Sequence, residues 1–288
     1  MRALEIREVS PRDGLQSLNS VFSVEERFYL CSRLIEAGFS KIEVGSLVKE
    51  QKVPAMAKSD ELFAKIREKY PNAEPWLLVP NEVGLRRALE LGARYLAFFT
   101  ATSATFQRKN TGQEIEQSLK MIEQMAAQAR NEGVVKLRLY VSTIFHCAYE
   151  GEKKPTHDLA AMEAYFDLFD EISLADTTGR GKPNQMEELL LWLSSKNYQS
   201  RIFWHFHDTY GHSPQLIELA LEAGYYCYDS SFAGVGGCPF MPGARGNVDT
   251  RTVLKVAEKM GISHGYDWEK IEKTYKDLRE KFPSIPWG

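Results

Sequence analysis

Eight short segments of apolar or β-branched residues alternate along the chain with longer segments of helical periodicity. The short segments are near-continuous apolar or β-branched stretches, as expected for parallel strands covered by helices. We therefore predict eight buried strands. They span residues 3–9, 41–47, 75–79, 95–100, 136–142, 171–176, 201–207 and 225–231.

The segments between the predicted strands have the apolar spacing and the end signals of amphipathic helices. Ser23 and Glu26 form a capping box, in which Ser23 can cap the helix and Glu26 can reach back to it. Gly38 follows the same helix at a position that favours a left-handed backbone. The predicted helices span residues 23–38, 59–69, 81–92, 111–131, 156–169, 183–195, 214–223, 248–259 and 268–281.

Eight strand-then-helix units in 288 residues predict an α/β fold, a closed (β/α)8 TIM barrel. Because the chain shows no linker or abrupt change of composition, we predict one barrel domain over residues 1–288, with 262–288 as a C-terminal helical extension. The main alternative, an open doubly wound sheet, would favour a glycine-rich phosphate loop after the first strand. That position reads Ser10-Pro11-Arg12-Asp13-Gly14, and the GxGxxG pattern is absent.

The overall composition excludes several classes of protein. A net charge of −3 argues against a nucleic-acid-binding surface. The longest apolar runs, such as residues 189–193, are too short to span a bilayer, and the first residues lack the profile of a signal peptide. Four cysteines without CxxC spacing indicate thiols in a reducing cytosol, so we expect a cytoplasmic protein with no membrane partner.

The seventh predicted strand ends with His205-Phe206-His207. Functional residues of a barrel lie at the carboxyl ends of its strands, and residues two apart on a strand face the same way. Both imidazoles can therefore point into the barrel and bind a divalent metal. The alternative is a pair of core or surface histidines without a ligand. Amidohydrolase-type barrels carry such a pair on their first strand, which disfavours that class here.

Asp13 and Asn247 could add two oxygen ligands to the imidazoles. Two imidazoles, one carboxylate, one amide and open water positions suit an octahedral ion such as Mg²⁺ or Mn²⁺. A structural zinc site would use four closed ligands, usually thiols, and that pattern is missing. With a single carboxylate, the site would keep a net positive charge and attract an oxyanionic substrate.

Three other charged residues lie at or near strand ends. Arg12 could form a salt bridge with its neighbour Asp13, or stabilise a developing negative charge as a bidentate donor. Glu43 and Asp176 could be buried carboxylates that support Arg12 or a ligand histidine, and either could act as a base.

Residues 232–247 form a glycine-rich loop that holds the thiol of Cys238, directly followed by Pro239. Glycines let the backbone approach a ligand closely, and the proline stiffens the site. The loop could therefore carry a catalytic thiol, or it could be a flexible surface loop with a buried cysteine.

Several of these segments together resemble a known family. Over about residues 4 to 261, the chain resembles the 3-hydroxy-3-methylglutaryl-CoA lyase family of metal-dependent barrel lyases. The Gly-Gly-Cys-Pro loop that leads to Asn247 is the most specific element of the resemblance. The segments that carry it are Arg12-Asp13-Gly14-Leu15-Gln16, Ile42-Glu43, Ser173-Leu174-Ala175-Asp176-Thr177, His205-Phe206-His207-Asp208-Thr209-Tyr210-Gly211 and Gly236-Gly237-Cys238-Pro239.

The resemblance implies a site, a reaction and an assembly. The reaction would cleave a 3-hydroxy-3-methylglutaryl thioester into acetoacetate and acetyl-CoA, with an acyl-CoA as substrate, and relatives suggest a homodimer. The implied metal ligands are Asp13, His205, His207 and Asn247. The implied catalytic residues are Arg12 and Cys238, supported by Glu43, Asp176 and His205, and the implied substrate contacts are Arg12, Gln16 and Ser173.

The residues fit this chemistry. A bound metal ion would lower the pKa of the tertiary alcohol, and His205 or Asp176 could take its proton. Arg12 could stabilise the oxygen of the resulting thioester enolate. Cys238 could then protonate the enolate, because a thiol of ordinary pKa is protonated near neutral pH.

Several positions near the site depart from the family pattern. These changes leave the metal ligands and the thiol in place, so they bear on the substrate rather than on the reaction. The alternatives are a lyase or Claisen-type synthase that acts on a different acyl-CoA, and a non-catalytic barrel that binds CoA esters. The departing positions include Lys52, Ala55, Ala104, His146 and Arg245.

Overall fold

The computed structural model describes residues 3–18, 20–238 and 241–287, with the backbone alone for residues 237, 238 and 241–245. Within this part of the chain, eight parallel strands form a closed barrel in which each strand pairs with the next and the eighth pairs with the first. The predicted (β/α)8 fold is confirmed. The barrel strands are β1 (Glu5–Glu8), β2 (Lys41–Ser46), β3 (Glu74–Leu78), β4 (Tyr95–Ala101), β5 (Lys136–Ser142), β6 (Glu171–Asp176), β7 (Ile202–Phe206) and β8 (Cys227–Ser230).

Ten α-helices lie within the described residues, and most of them follow a barrel strand. Short non-α turns also occur, at Ser10–Gly14, Pro54–Met56, Glu163–Leu168 and Phe232–Gly234. The helices are α1 (Val24–Glu36), α2 (Ser59–Lys69), α3 (Glu82–Glu90), α4 (Ala104–Thr111), α5 (Ile115–Asn131), α6 (Pro155–Ala160), α7 (Pro183–Ser194), α8 (Ser213–Glu222), α9 (Thr250–Lys259) and α10 (Trp268–Lys281).

Local sequence signals set several helix ends. The hydroxyl of Ser23 accepts a hydrogen bond from the backbone N–H of Glu26 at 3.3 Å, and the Glu26 carboxylate accepts one from the Ser23 N–H at 2.8 Å. The predicted capping box is therefore confirmed. Gly38 has a φ of 107° just after α1, as expected for the residue that ends this helix. Helices α2 and α10 have the predicted bounds.

Two helix predictions are wrong, one in where its helix begins and the other because it spans two separate elements. In residues 111–131, α4 ends at Thr111, Gly112 takes a φ of 76°, and α5 begins only at Ile115. In residues 156–169, α6 ends at Ala160 and a 3-10 helix begins at Glu163. Helix α6 buries Leu159 and the 3-10 helix buries Phe166, so the apolar spacing continues across this second break.

The interior of the barrel is more polar than the near-continuous apolar strands suggest. Arg7 of β1 donates to Glu171 of β6 at 2.6 Å, and Arg138 of β5 donates to Asp229 of β8. All four side chains are buried, and these pairs cross the barrel between non-neighbouring strands. A small apolar cluster around Trp76 shares the interior, whereas the large apolar core lies between strands and helices. The ion pairs of the interior lead directly to the candidate site.

Helix α10 lies outside the repeating units and packs against α1. Arg33 of α1 donates to Asp277 of α10 at 2.6 Å, and Phe282, just after α10, makes an edge contact with Phe22. None of the helices in the described ranges has the length and apolarity needed to cross a membrane.

Candidate metal and active site

Asp13 and Arg12 lie in a π-helical turn, Ser10–Gly14, that directly follows β1. The backbone N–H groups of Arg12 and Asp13 both donate to the carbonyl of Val9, at 3.2 and 2.8 Å. The turn therefore wraps around one carbonyl at the end of the strand, and both side chains line the cavity at the barrel mouth. Single π-helical turns are frequent at functional sites.

His205 and His207 face the Asp13 carboxylate from the end of β7. The Nε2 atom of His205 lies 3.9 Å from Oδ2 of Asp13. Ligand atoms from the three residues all lie within 4.8 Å of one another. Burial and the neighbouring His205 lower the pKa of His207 to about 4, so this imidazole is neutral at pH 7 and keeps a lone pair for a cation.

Asn247 completes the group. Its backbone forms a β-bridge with His207, and its Nδ2 atom donates to Oδ2 of Asp13 at 2.8 Å. Within the described residues, the buried Oδ1 atom of Asn247 and the buried Nδ1 atom of His207 have no hydrogen-bond partner. Such unpaired polar atoms are rare in folded proteins. The structure therefore brings together the four residues predicted as ligands, and their oxygen and nitrogen donors suit a hard or borderline divalent cation.

Arg12 is fixed between two carboxylates. Its Nε atom donates to Oε2 of Glu43 at 2.7 Å, and another guanidinium nitrogen donates to Asp13. The hydroxyl of Tyr140 donates to the same Glu43 oxygen at 3.2 Å. Burial alone would lower the pKa of Arg12, but Glu43 and Asp13 raise it, so the guanidinium stays charged. Burial likewise would raise the pKa of Asp13, but Arg12 and the two imidazoles hold it well below its usual range.

A second group of residues lies on the Nδ1 side of His205, and its members Arg138 and Asp229 were not among the candidates from the sequence. The Nδ1 atom of His205 is 3.3 Å from Oδ2 of Asp229, and the hydroxyl of Ser173 donates to that oxygen at 2.6 Å. Arg138 pairs with the other oxygen of Asp229. Burial would raise the pKa of Asp229, but Arg138 and His205 lower it, so the carboxylate is ionised. A charged residue inside an otherwise apolar strand was the one signal of Asp229 in the sequence.

The structure does not bring Asp176 to the other candidates. Ala175 is in register with His205 on the neighbouring strand, and Asp176 is in register with Phe206. Because successive strand residues face opposite sides, Asp176 faces away from the His205 side. Its carboxylate accepts the backbone N–H of Gly181 at 2.8 Å. Burial, partly opposed by such hydrogen bonds, raises the pKa of Asp176 to about 6.

Asp13, His205 and His207 line a cavity of about 560 Å³ at the barrel mouth. Gln16 and Arg12 line it beside the metal-binding group. Another part of the lining comes from β2, β3 and β4, the segments after them and α4, and it combines apolar residues with the polar Ser46, Lys109 and Asn110. Its apolar residues are Val48, Val53, Leu78, Phe99 and Phe106.

Three of the predicted positions, His146, Cys238 and Arg245, are not among the described lining residues of this cavity. His146 lines a separate cavity of about 380 Å³ together with Arg180 and Lys182. The thiol of Cys238 and the side chain of Arg245 lie outside the described residues. The backbone places Gly237–Cys238 in an antiparallel pair with Met241–Arg245, on the segment between β8 and Asn247.

Comparison with known proteins identifies the family of this site. A family model described as HMGL-like matches residues 3–278. The chain belongs to this family. Members of the HMGL-like family are divalent-metal-dependent carbon–carbon lyases, which agrees with the cluster of Asp13, His205 and His207.

Individual relatives in the HMGL-like family cover nearly the whole chain. Hydroxymethylglutaryl-CoA lyase of Pseudomonas mevalonii is 35% identical over 275 residues, which are 95% of this chain and 91% of that protein. The 3-hydroxy-3-isohexenylglutaryl-CoA/hydroxymethylglutaryl-CoA lyase of Pseudomonas aeruginosa is 36% identical over 276 residues, 94% of this chain and 90% of that protein. An HMG-CoA lyase of Acinetobacter baumannii, solved with coenzyme A and 3-methylmalate, has a TM-score of 0.89 and 30% identity, covering 96% of this chain and 90% of that chain.

Proposed function

We propose that the protein is a divalent-metal-dependent lyase that cleaves 3-hydroxy-3-methylglutaryl-CoA into acetoacetate and acetyl-CoA. The observation that carries the proposal is the convergence of Asp13, His205, His207 and Asn247 beside Arg12, in a chain of the HMGL-like family. Mg²⁺ or Mn²⁺ suits this set of oxygen and nitrogen donors. We expect the protein to act as a homodimer, as the resemblance implies.

Asp13, His205, His207 and Asn247 would hold the cation at the mouth of the barrel. When bound, a divalent ion acts as a Lewis acid that lowers the pKa of the substrate alcohol. His205 donates its Nδ1–H to Asp229, which leaves a single lone pair on Nε2. His205 therefore serves as a ligand or as the base for the alcohol proton at any one moment, and not as both. Asp176, which faces the other side of β6, is the weaker candidate for that proton.

Arg12 is the residue that we assign to the developing enolate. Cleavage of the C2–C3 bond moves an electron pair onto the thioester carbonyl, and a fixed guanidinium stabilises the resulting oxygen anion. Glu43 accepts a hydrogen bond from the Nε atom of Arg12. The guanidinium therefore needs little reorganisation when negative charge develops on the enolate oxygen. Gln16 lines the same cavity and is placed for a substrate contact. The hydroxyl of Ser173 is engaged by Asp229, so we assign it to support of the site rather than to the substrate.

Cys238 is the residue that we assign to protonation of the enolate carbon. A thiol of ordinary pKa, about 8.5, is protonated at neutral pH and can donate to a carbanion. The backbone of Gly236, two residues earlier, approaches Asn247 closely: an added Cβ would lie 3.0 Å from Nδ2 of Asn247. The thiol-bearing segment thus begins beside the proposed cation ligands.

The direct test is a single-turnover and steady-state assay with 3-hydroxy-3-methylglutaryl-CoA. We expect acetoacetate and acetyl-CoA in equal amounts with Mg²⁺ or Mn²⁺, loss of activity with EDTA, and recovery when the metal ion is restored. His207→Ala should be inactive and should bind Mn²⁺ weakly. Binding of the thioester without any cleavage, in the presence of bound Mn²⁺, would instead favour the non-catalytic barrel.

A second candidate substrate is a 3-hydroxyglutaryl-CoA with a longer 3-alkyl group. The observation that favours it is the set of apolar residues in the cavity lining, which includes Phe99 and Phe106. One 36% identical relative is named for a 3-isohexenyl substrate as well as for the 3-methyl one. Measured kcat/KM values for thioesters with 3-methyl and longer 3-alkyl groups decide the matter. A preference for the longer chain by more than about tenfold would make it the better substrate.

A further inference from the structure

One buried carboxylate has no part in the chemistry described above. Glu8, the last residue of β1, is 0% exposed. Its neighbour Arg7 is in register with Asp229 and lies inside the barrel, so Glu8 faces the opposite side of the strand. The Glu8 carboxylate therefore lies behind the site and not in the cavity.

The Glu8 carboxylate accepts three hydrogen bonds from three different segments. Oε1 accepts the backbone N–H of Ser10 at 3.0 Å and that of Phe232 at 2.9 Å. Oε2 accepts the hydroxyl of Thr250 at 2.9 Å. Phe232 and Thr250 are 224 and 242 residues away along the chain, so these bonds join distant parts of the sequence.

Each of the three donors lies at the start of, or next to, a segment that carries a candidate site residue. Ser10 begins the π-helical turn that holds Arg12 and Asp13. Phe232 begins the 3-10 turn that leads through the glycines to Cys238. Thr250 begins α9, three residues after Asn247.

The same segments also approach one another closely. A Cβ added to Gly14 would lie 2.7 Å from the carbonyl oxygen of Val235. A Cβ added to Gly236 would lie 3.0 Å from Nδ2 of Asn247 and 3.4 Å from Cα of Gly14. A shift of one segment therefore moves the ligands on the others, and a displacement of about 1 Å at a reacting group can cost on the order of 100-fold in rate.

We propose that Glu8 is a positioning residue, whose three hydrogen bonds fix Asp13, Asn247 and the segment leading to Cys238 relative to one another. The inference rests on the proposed function, because it assigns these residues to one site. It makes hydrogen-bond geometry at Glu8, rather than its negative charge, the feature that matters.

The Glu8→Gln variant separates geometry from charge. A glutamine oxygen can accept both backbone N–H groups, and its amide can donate to the Thr250 hydroxyl, which can in turn donate to Ser230 Oγ at 2.8 Å. Burial raises the pKa of Glu8 to about 7, so a neutral side chain is compatible with this position. Glu8→Ala, by contrast, leaves two buried N–H groups without a partner.

The experiment measures Mn²⁺ affinity by calorimetry, well below the melting temperature of each variant, together with kcat and KM. For Glu8→Ala we expect Mn²⁺ affinity to fall about 10- to 100-fold, as for other residues that orient metal ligands. In Glu8→Ala, kcat should fall by a larger factor than KM changes. In Glu8→Gln, both kcat and Mn²⁺ affinity should stay near the wild-type values. The control is Leu254→Ala, which shortens a buried side chain of α9. It should lower the free energy of unfolding by an amount comparable to that of Glu8→Ala without changing Mn²⁺ affinity.

Two results would overturn the inference. One is a folded Glu8→Ala variant with wild-type Mn²⁺ affinity and kcat, and the other is a Glu8→Gln variant as impaired as Glu8→Ala.

If Glu8→Ala does not fold, Thr250→Val removes only the hydrogen bond from α9 to Glu8 and should still weaken Mn²⁺ binding. Unchanged Mn²⁺ affinity in Thr250→Val would count against the positioning role of Glu8. If the wild-type protein binds Mn²⁺ but cleaves no thioester, the proposed function is wrong. The role of Glu8 is still tested in that case, because the Mn²⁺ affinities of wild type and variants can be compared.

Discussion

The Nδ1 atom of His205 lies 3.3 Å from the buried carboxylate of Asp229, and Asp229 is itself held by Arg138 and by the hydroxyl of Ser173 at 2.6 Å. This contact fixes the tautomer of His205 and directs Nε2 towards Asp13. Carboxylate partners of this kind orient metal-binding imidazoles in many proteins.

Asp229→Asn should therefore weaken Mn²⁺ binding about 10- to 100-fold, because a neutral amide accepts a weaker hydrogen bond from the imidazole than a carboxylate does. Calorimetry and a titration of kcat against Mn²⁺ concentration measure the effect. Ser173→Ala is the matched control, since it removes one hydrogen bond to Asp229 but keeps the carboxylate, and its effect should be smaller. Equal affinities for Asp229→Asn and wild type would show that His205 does not need this partner.

Arg12→Lys should lower kcat about 100-fold or more while Mn²⁺ affinity changes little. Lysine keeps the positive charge but cannot donate to Glu43 and Asp13 from one rigid group. The measurement is steady-state kinetics beside Mn²⁺ calorimetry. A variant with normal kcat and raised KM would place Arg12 in substrate binding instead of enolate stabilisation.

Cys238→Ala should lower kcat about 100- to 10,000-fold, the usual range for loss of a general acid, with unchanged Mn²⁺ affinity. The physical reason is that the enolate would have to be protonated by solvent. Proton transfer at the enolate carbon can be followed as exchange of the acetyl-CoA methyl protons in deuterated water. Normal turnover by this variant would remove the thiol from the mechanism.

Gly236→Ala should impair both Mn²⁺ binding and catalysis. Gly236 has a φ of 134°, and an added Cβ would lie 3.0 Å from Nδ2 of Asn247. Gly112→Ala is the matched control, because Gly112 also has a positive φ, of 76°, but nothing lies within 4 Å of an added Cβ. We expect Gly112→Ala to lose some stability and keep its activity. Similar activities for the two variants would contradict a close packing requirement at Gly236.

Glu8→Gln should change how stability depends on pH. Burial raises the pKa of Glu8 from 4.5 to about 7, so the folded chain binds this proton more tightly than the unfolded chain does. The contribution of Glu8 to stability is therefore present below about pH 4.5 and is lost as pH rises towards 7. Since glutamine does not titrate, the melting temperature of Glu8→Gln relative to wild type should be higher at pH 8 than at pH 5.

Among the described residues, Cys31 and Tyr266 are titratable groups that interact electrostatically with Glu8, and both are the same in the two proteins. Their contributions therefore cancel in the difference between the two melting temperatures. A difference that does not change with pH would show that Glu8 keeps an ordinary pKa in the folded chain.

Much of the fold was predictable because its signals are local. Residues 136–142 and 171–176 are strands with the predicted bounds, since each is short, apolar and flanked by helix signals. Ser23 and Glu26 marked the start of α1 through a contact of only three residues' separation. The break at Met162 was missed because apolar side chains are buried on both sides of it, Leu159 before and Phe166 after.

The candidate site was predictable in part. His205 and His207 could be placed on one face from their spacing alone, and Asp13 and Asn247 offered the donor chemistry that completes a cation site. The sequence did not show that Asp176 faces away from this group. That orientation follows from the register of β6 with β7, in which Ala175 rather than Asp176 lies beside His205.

By itself, then, the sequence determined the number and order of the strand–helix units and the chemical types of the cation donors, because periodicity and composition act over short distances. Only the tertiary structure decided which polar side chains meet: Asp229 behind His205, and Glu8 joined to Phe232 and Thr250. The physical reason is barrel closure, which pairs β1 with β8 and brings residues more than 200 positions apart within hydrogen-bonding distance of Glu8.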